Sequence, residues 1–405
     1  MCTFAVGFLG CKVSMVVAQA VRERLVADGH TETGDRPEVH VISTCCVTAE
    51  AVAKSRKAAR RAARDGARVF VTGCAANLRG DAFADLPAAV TALPLRAERT
   101  PEAVSEAVGA VGCVGGAAPP FARTRAYLKI QDGCSFGCSF CVIPSVRGTS
   151  RSRTAGAVLA EARRRAGQGH PELVLTGINL GCFRDREAGH DLASLLTAVA
   201  ATPGIRRVRL SSIEVNHLGE RLLEAVAATP GAAPHLHVPL QSGDDGVLAT
   251  MRRRYTAERF LDRIERARAA VPGLNLTTDV IVGHPAEGDA AFRRTLQVVG
   301  EAGFTAVHVF PYSPRPSTAD AGADPVPAAE KRRRSQLLRE AVGRRGAAHR
   351  RAKLGRRERV LVEEGGRGVS ADYTPFRVPG GEPGALATVL ATAVEPDAVV
   401  GTMCA

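Results

Sequence analysis

Three cysteines with the spacing C-x3-C-x2-C carry the clearest chemical signal in this 405-residue chain. Cys134, Cys138 and Cys141 stand in the stretch GCSFGCSFCVIP, which directly follows the strand-like run AYLKIQ. Three thiolates suit an iron–sulfur cluster better than zinc, because a closed structural zinc site needs four protein ligands. A [4Fe–4S] cluster held by three cysteines keeps one iron open to a substrate. The alternative is a zinc site that a distant Cys or His completes.

A second set of cysteines follows three strand-like runs near the start of the chain. FAVGFLG precedes Cys11, VHVIST precedes Cys45 and ARVFVTG precedes Cys74. Because the carboxyl ends of the strands in an open α/β sheet form its ligand-binding edge, the three thiols are predicted to converge there. The number and spacing of the 11 cysteines point to metal binding or catalysis rather than to disulfides.

The remaining reactive side chains are predicted to be structural. Four cysteines lie at the chain ends, in a Gly/Ala/Pro-rich stretch or in a loop: Cys2, Cys404, Cys113 and Cys182. Small buried thiols are common, so these four are expected not to ligate iron. His235 and His237 alternate along a strand-like run, and we expect them to pack or to form hydrogen bonds rather than to bind a metal.

The alternation of strand-like and helix-like segments predicts an α/β fold with three domains. Residues 1–115 repeat the βαβ rhythm of an open parallel sheet. Gly109–Pro120 is rich in Gly, Ala and Pro and is the best candidate linker. Six βα units in residues 121–343 suit a barrel or partial barrel, whose site lies at the carboxyl ends of its strands. Short strand-like runs in residues 344–405 predict a small β-domain.

Composition and charge narrow the class of protein and its partners. Apolar residues make up 45% of the chain and charged residues 23%, which excludes wholesale disorder. No run of 18 apolar residues occurs and the start lacks a basic leader region, so we expect a cytoplasmic protein without a membrane span. The net charge is +13, and Lys331–Arg359 alone holds 13 basic and two acidic residues, a local balance of +11. A polyanion is the natural partner of this segment, and a solvated helix face is the alternative.

The sequence around the first cysteine set resembles a known family. YLKIQDGCSFGCSFCVIPSVRGTSRSR is similar to the cluster motif of the radical S-adenosylmethionine (SAM) methylthiotransferases. GFLGCKV, VISTCCVTAEA and VFVTGCAAN resemble the N-terminal cluster domain of that family. ELVLTGINLG, RLSSIEV, HLHVPLQSGDDGVLATMRRRY, TDVIVGHPAEGD and HVFPYSPRPSTA resemble its barrel motifs in the same order. The resemblance implies an N-terminal methylthiotransferase domain, a radical SAM partial (βα)6 barrel and, by position and length, a TRAM-like C-terminal domain with a β-barrel-like fold.

The resemblance also implies the cofactors and the residues that hold them. The C-x3-C-x2-C cysteines would hold a radical-generating [4Fe–4S] cluster whose open iron SAM chelates, and the three N-terminal cysteines would hold an auxiliary [4Fe–4S] cluster. One SAM would donate a methyl group, and a second would give a 5′-deoxyadenosyl radical that removes hydrogen from an unactivated C–H bond. The implied SAM contacts lie in the cluster loop and at strand ends: Phe140, Thr176, Gly177, Asn179, Ser212, Glu214, Gln241 and Ser242.

Within the family, STCCVTAEAVAKSR most resembles the branch that modifies C2 of N6-threonylcarbamoyladenosine at position 37 of tRNA. The implied partners are tRNA, bound by Lys331–Arg359 and the C-terminal domain, and a low-potential electron donor such as flavodoxin or ferredoxin. The sulfur source stays open. Ser14, Met15 and His284 depart from the family's usual residues, in regions expected to face the substrate. The alternatives are therefore a methylthiotransferase for a peptide or protein side chain and, third, a non-enzymatic iron–sulfur RNA-binding protein.

The adjacent pair Cys45-Cys46 is expected to supply one iron ligand only. Neighbouring side chains on an extended strand point to opposite faces, so both thiols do not easily reach one iron site. The resemblance assigns the ligand to Cys45, which follows Ser43 and Thr44 as the family's cysteine follows a small polar residue and Thr. Cys46 is then expected to be a bystander that lines the same cavity.

Overall fold

The computed structural model describes residues 2–78, 82–94, 98–109, 123–322 and 324–404. It forms two compact units. The first comprises Met1–Ala122, Asp132–Arg151 and Ser313–Ala323, and the second comprises Arg123–Gln131, Ser152–Tyr312 and Asp324–Ala405. The predicted linker, beyond Gly109, and the predicted inert Cys113 lie outside the described residues.

The first unit is built around a parallel sheet of five strands. Its strands are β1 (Thr3–Phe8), β2 (Thr31–Glu32), β3 (Val39–Thr44), β4 (Arg68–Gly73) and β5 (Val90–Ala92), and its helices are α1 (Lys12–Ala27), α2 (Ala49–Arg64), α3 (Thr100–Val108) and α4 (Ile143–Arg147). The strand order is β2-β1-β3-β4-β5, and every neighbouring pair is parallel. The predicted open parallel sheet is confirmed, and its strand order reverses between β1 and β3, where such sheets bind ligands.

The two faces of this sheet bury separate apolar clusters, because strand side chains alternate between faces. Val41 and Phe70 pack with Leu25 of α1 in one cluster, which also includes a residue of α3. Ile42 and Val71 pack with alanines of α2 in the other. Helices therefore cover both faces, as a parallel sheet requires, and the strand ends are the places left for a ligand.

The strands that follow in the chain alternate with helices. They are β6 (Ala126–Lys129), β7 (Gln131–Asp132), β8 (Arg151–Ser152), β9 (Glu172–Thr176), β10 (Arg184–Asp185), β11 (His190–Asp191), β12 (Arg207–Leu210), β13 (His235–His237), β14 (Asn275–Val282) and β15 (Ala306–Pro311). The helices are α5 (Ala155–Gly167), α6 (Leu192–Ala200), α7 (Glu220–Ala228), α8 (Asp245–Thr250), α9 (Ala257–Ala270), α10 (Asp289–Ala302) and α11 (Ala328–Arg351), with 3-10 turns at Leu180–Cys182 and Val215–His217.

Six of these strands form the predicted partial barrel in the second unit. Three pair in the parallel order β12-β9-β6 and three in the parallel order β13-β14-β15. Single parallel bridges, Val208 with Ala232 and Ser212 with His237, join the two sets. Over the described ranges of the chain, no helix is long and apolar enough to cross a membrane.

The C-terminal segment of the second unit is a closed five-stranded barrel. Its strands are β16 (Arg357–Val362), β17 (Arg367–Ser370), β18 (Pro375–Arg377), β19 (Leu386–Val394) and β20 (Val399–Met403), with a 3-10 turn at Glu364–Gly366. The order around the barrel is β16-β17-β18-β20-β19. Val360, Phe376, Val389 and Val399 form part of its buried core. The predicted small β-domain is therefore confirmed as a β-barrel.

A buried ionic cluster ties the C-terminal barrel to the partial barrel. Glu172 accepts hydrogen bonds from Arg207 Nη1 at 3.0 Å and from Arg209 Nε at 3.1 Å. Arg209 also donates to the backbone oxygens of Ser370 and Ala371, at 3.1 and 3.0 Å. All three charged side chains are almost fully buried. Their charges are compensated by each other and by backbone carbonyls, as burial of ions requires.

Candidate iron–sulfur and SAM site

The first unit brings the three N-terminal cysteines to one edge of its sheet. Cys11 caps the start of α1 after β1, and Cys45 and Cys74 directly follow β3 and β4. A side chain placed at Gly10 would come within 3.4 Å of the Cys45 Cβ atom, which shows how closely the two loops approach. Burial raises the pKa of the Cys45 thiol to about 11, and the nearby Cys74 and Cys11 thiols add to the rise. The β1/β3 switch point therefore carries a cluster of thiols.

Cys46 contacts this cluster through Cys74. Cys46 is fully buried and lies in the same buried cluster as Cys74. The neighbouring Cys46 thiol and the charge of Arg147 lower the pKa of Cys74, whereas Cys74 and burial raise the pKa of Cys46. Cys46 therefore lies beside a predicted ligand, and its assignment as a bystander stays a prediction.

Arg147 contacts one thiol of the N-terminal set and a carboxylate next to the C-x3-C-x2-C loop. Its Nε donates to Cys74 Sγ at 3.0 Å, and its Nη1 donates to the two carboxylate oxygens of Asp132 at 3.0 and 3.2 Å. Asp132 stands two residues before Cys134, and Arg147 is the last residue of the helix that follows the loop. Sequence reasoning missed Arg147, whose only signal was its place in the VRGTSR stretch after the loop. One buried guanidinium therefore connects Cys74 with the residue that precedes the loop.

The C-x3-C-x2-C loop is shaped by its backbone. Gly133 has φ +71°, and a Cβ atom there would lie 2.1 Å from the Thr149 backbone oxygen, so only glycine fits. Cys134 N donates to the Gly148 oxygen at 3.0 Å, and Phe136 N donates to Cys134 Sγ at 3.4 Å. The three loop thiols are half-buried. The loop thus holds the Cys134 sulfur next to a backbone N–H group.

The donor sets suit clusters better than single ions. Within the described residues, neither cysteine set places its three sulfur atoms within 4.8 Å of one another. A zinc ion that binds sulfur at about 2.3 Å would hold its ligands closer together than that. An iron–sulfur cluster spreads its cysteines around several irons, and a buried arginine favours the thiolate form that such ligands need.

Two of the unusual residues noted in the sequence are buried. Ser14 has its Oγ 3.8 Å from Cys11 Sγ and 3.4 Å from Arg147 Nη2. His284 is fully buried and packs edge-on against Tyr312. Ser14 therefore lies among the thiols and His284 lies in the core, and the expectation that these regions face the substrate stays a prediction.

Seven of the eight predicted SAM contacts lie in the second unit, and Phe140 lies half-buried in the loop of the first. Thr176 ends β9, and the turn after it is held by Gln131, whose Oε1 accepts from Asn179 N at 2.8 Å. A Cβ atom on Gly177 would lie 3.0 Å from the same oxygen. Gln131 thus fixes the backbone of this strand end, and nothing in the sequence pattern singled it out.

The other strand-end residues differ in what their side chains contact. Glu214 accepts hydrogen bonds from Asn216 Nδ2 at 3.1 Å and from Arg253 Nη2 at 3.3 Å. Ser212 pairs with His237 in a parallel bridge, and Gln241 has φ +66° and pairs with Val280. The Ser242 hydroxyl is fully buried 3.3 Å from Thr295 Oγ1. The Ser242 side chain therefore packs against Thr295 of α10.

The chain matches two family models. The radical SAM superfamily model matches residues 128–299, and the model of the uncharacterized protein family UPF0004 matches residues 3–93. The structure is similar to that of the radical SAM methyltransferase TsrM from Kitasatospora setae, with a TM-score of 0.56, 14% identity and coverage of 79% of this chain and 77% of that one. At this identity the likeness shows the fold alone.

Relatives of known name cover most of the chain. The threonylcarbamoyladenosine tRNA methylthiotransferase MtaB of Chlamydia pneumoniae is 35% identical, over 92% of this chain and 90% of its own length. The tRNA-2-methylthio-N(6)-dimethylallyladenosine synthase of Solibacter usitatus is 34% identical, over 84% of this chain and 81% of its own length. The radical SAM domain implies a [4Fe–4S] cluster and SAM as cofactors. The chain is a member of the radical SAM methylthiotransferase family.

Proposed function

We propose that this enzyme inserts a methylthio group at C2 of N6-threonylcarbamoyladenosine at position 37 of tRNA, using two [4Fe–4S] clusters and SAM. The observation that carries the proposal is the contact of Arg147 with both Cys74 and Asp132. It brings a predicted ligand of the auxiliary cluster close to the residue that stands two positions before the first loop cysteine. The name of the relative from Chlamydia pneumoniae supports the choice of nucleoside.

Each cysteine set has its own task in this proposal. Cys134, Cys138 and Cys141 hold the cluster that binds SAM, and the thiols at the β1/β3 switch point hold the auxiliary cluster. When bound, these cofactors supply one-electron chemistry at an unactivated C–H bond and a methylthio group to replace the hydrogen. Thr176, Gly177 and Asn179, on the backbone that Gln131 holds, are proposed SAM contacts. A low-potential donor such as flavodoxin or ferredoxin reduces the enzyme, in the cytoplasm.

Arg147 prepares the auxiliary set for its cluster. Its charge lies against Cys74 and favours the thiolate, which is the form that binds iron. Asp132 shares the same guanidinium, so the arginine is fixed from two sides. Burial of all three groups keeps water away from the contact. The protein thus presents a polarised thiol before any metal arrives.

Lys331–Arg359 is the segment proposed to bind tRNA, but fewer of its basic side chains are exposed than the sequence suggests. Lys331 is buried, donates to the Tyr312 oxygen at 2.9 Å and pairs with Asp324. Arg334 is buried as well and contacts Glu287 at 2.7 Å. These two residues hold α11 in place and do not reach a partner. Nine arginines of Lys331–Arg359 are exposed: Arg332, Arg333, Arg339, Arg344, Arg345, Arg351, Arg356, Arg357 and Arg359.

The substrate is tested by mass spectrometry of nucleosides from digested tRNA. Strains with the gene deleted, with the gene restored and with the Cys45→Ala variant restored are compared. We expect 2-methylthio-N6-threonylcarbamoyladenosine only with the intact gene. Identical nucleosides in all three strains would reject tRNA and favour a peptide or protein substrate.

A further inference from the structure

Three side chains on adjacent barrel strands place possible ligand atoms within 4.8 Å of one another. They are His237 of β13, Asp279 of β14 and His308 of β15. In the described part of the chain, no other group of three His, Cys, Asp or Glu side chains meets this distance. Asp279 and His308 are register partners in the β14–β15 pair, so the backbone itself sets them side by side. None of the three belongs to the sites proposed for the clusters or for SAM.

The spacing of these atoms suits one metal ion. His237 Nε2 lies 3.0 Å from Asp279 Oδ1, and the rings of His237 and His308 have centroids 5.6 Å apart. Two donors that bind one ion at about 2.0–2.2 Å are separated by roughly this N–O distance. Two imidazoles and one carboxylate form a ligand set that proteins use for zinc and for ferrous iron.

The second ring nitrogen of His237 has a hydrogen-bonding partner, as that of a metal-binding histidine usually does. Its Nδ1 lies 2.9 Å from Thr277 Oγ1, which lies 3.0 Å from His235 Nε2. When His237 Nδ1–H donates to Thr277 and the Thr277 hydroxyl donates to His235, the Nε2 lone pair of His237 faces Asp279. A cation between the two removes the repulsion of lone pair and carboxylate, and the Thr277 contact fixes the ring.

We propose that His237, Asp279 and His308 bind one divalent first-row transition-metal ion, with zinc as the expected occupant. Three protein ligands leave coordination positions open to water or to an oxygen of a bound molecule. His237 is buried, Asp279 is half-buried and His308 is exposed, so the ion can enter from the His308 side. This site is separate from the thiol sites in ligand chemistry, and it does not depend on the identity of the substrate.

The test measures zinc binding to the holoenzyme with its iron content intact. Zinc is titrated anaerobically in competition with a fluorescent zinc chelator. We expect one zinc per chain in the wild type and affinity at least tenfold weaker in His308→Ala and in Asp279→Asn. His308 is exposed, so its loss spares the core. His190→Ala, outside the triad, is the matched control and should bind as the wild type does.

The extended fine structure of the zinc X-ray absorption spectrum identifies the ligand atoms and their distances directly. The proposal predicts nitrogen and oxygen neighbours at about 2.0–2.1 Å and no sulfur at about 2.3 Å. Sulfur neighbours would assign the zinc to cysteines and overturn the proposal. Unchanged affinity in His308→Ala and Asp279→Asn at wild-type iron content would also overturn it, and would leave His237 and Asp279 as a hydrogen-bonded pair only.

Discussion

Arg147 is the residue through which a thiol of the N-terminal set contacts a residue next to the C-x3-C-x2-C loop. Its guanidinium lies between a thiol that the β-sheet supplies and a carboxylate next to the cluster loop. A buried cation in this place can stabilise thiolates only while Asp132 balances and orients it. The contacts of Arg147 with Asp132 and Cys74 thus join residues that are distant in sequence.

Replacement of Arg147 by leucine should therefore cost both stability and iron. Removing one partner of a buried ion pair typically costs about 3–5 kcal/mol, because the other charge stays buried. We expect a lower unfolding temperature and a loss of auxiliary iron, with a smaller effect for Arg147→Lys. Iron assay and thermal unfolding measure both. Arg61→Leu removes an exposed arginine and is the control, and equal effects of the two leucine variants would contradict the role of Arg147.

The Cys46 thiol should not hold a cluster. Cys46→Ala is expected to keep about eight irons per chain, because the ligand that follows β3 is assigned to Cys45 and Cys46 lies buried beside Cys74. An iron assay of the reconstituted protein measures this, and Cys45→Ala is the comparison that should lose about half of the iron. Loss of about half of the iron in Cys46→Ala would instead identify Cys46 as a ligand.

Sequence reasoning could predict which residue types supply the site but not how they contact one another. The cysteines follow strand-like runs, so a parallel sheet must gather them at one edge. Arg147 is 73 positions from Cys74 and no local pattern links them. The contacts of Gln131 and the proximity of Cys46 to Cys74 could not be predicted, for the same reason. Such contacts depend on tertiary packing, which a single sequence does not display.

At the scale of elements, strands were easier to predict than the long basic helix. Short strand-like runs identify all six strands of the partial barrel. The 24-residue α11 runs across the predicted boundary between residues 343 and 344, which stays a prediction. Its buried face includes only Leu338 and Val342 as apolar side chains of any size, together with the charged Lys331 and Arg334. Its charge pattern therefore conceals which face packs against the barrel.

Glu172 should contribute far more to the free energy of unfolding than an exposed glutamate does. Glu172→Gln leaves Arg207 and Arg209 buried without their carboxylate, which typically costs about 3–5 kcal/mol. We expect faster hydrogen exchange in β16–β20, because Arg209 also holds the C-terminal barrel. Glu50→Gln removes one partner of an exposed pair and is the control. Equal exchange in the two variants would contradict this account.

The contribution of Glu172 should also depend on pH. Burial raises its pKa, but Arg209 and Arg207 outweigh burial, so the pKa lies below the usual value of 4.5. The stabilisation is therefore present at neutral pH and is lost as the pH falls below that value toward the folded-state pKa. The difference in exchange between wild type and Glu172→Gln should shrink on acidification. A difference that grows would show that Glu172 is protonated in the folded protein.

At the scale of the whole molecule, some basic residues of α11 stabilise the fold, and others are exposed to a binding partner. Arg332 and Arg333 are exposed, whereas Arg334 beside them is buried against Glu287. Arg332→Glu with Arg333→Glu should weaken tRNA binding and lower the salt slope by about 0.9 per lost phosphate contact, without loss of stability. Filter binding at several salt concentrations measures this. Arg334→Glu should destabilise the protein instead, and an unchanged slope in the double variant would mean that this face is only solvated.

The division of labour between the two cysteine sets is the central claim. It is tested most directly by measuring 5′-deoxyadenosine and the methylthio product together, in anaerobic reactions of the reconstituted enzyme with tRNA and SAM. We predict both products for the wild type, 5′-deoxyadenosine alone for Cys45→Ala and neither for Cys134→Ala. Methylthio transfer by Cys45→Ala, or 5′-deoxyadenosine from Cys134→Ala, would contradict the assignment of the two sets.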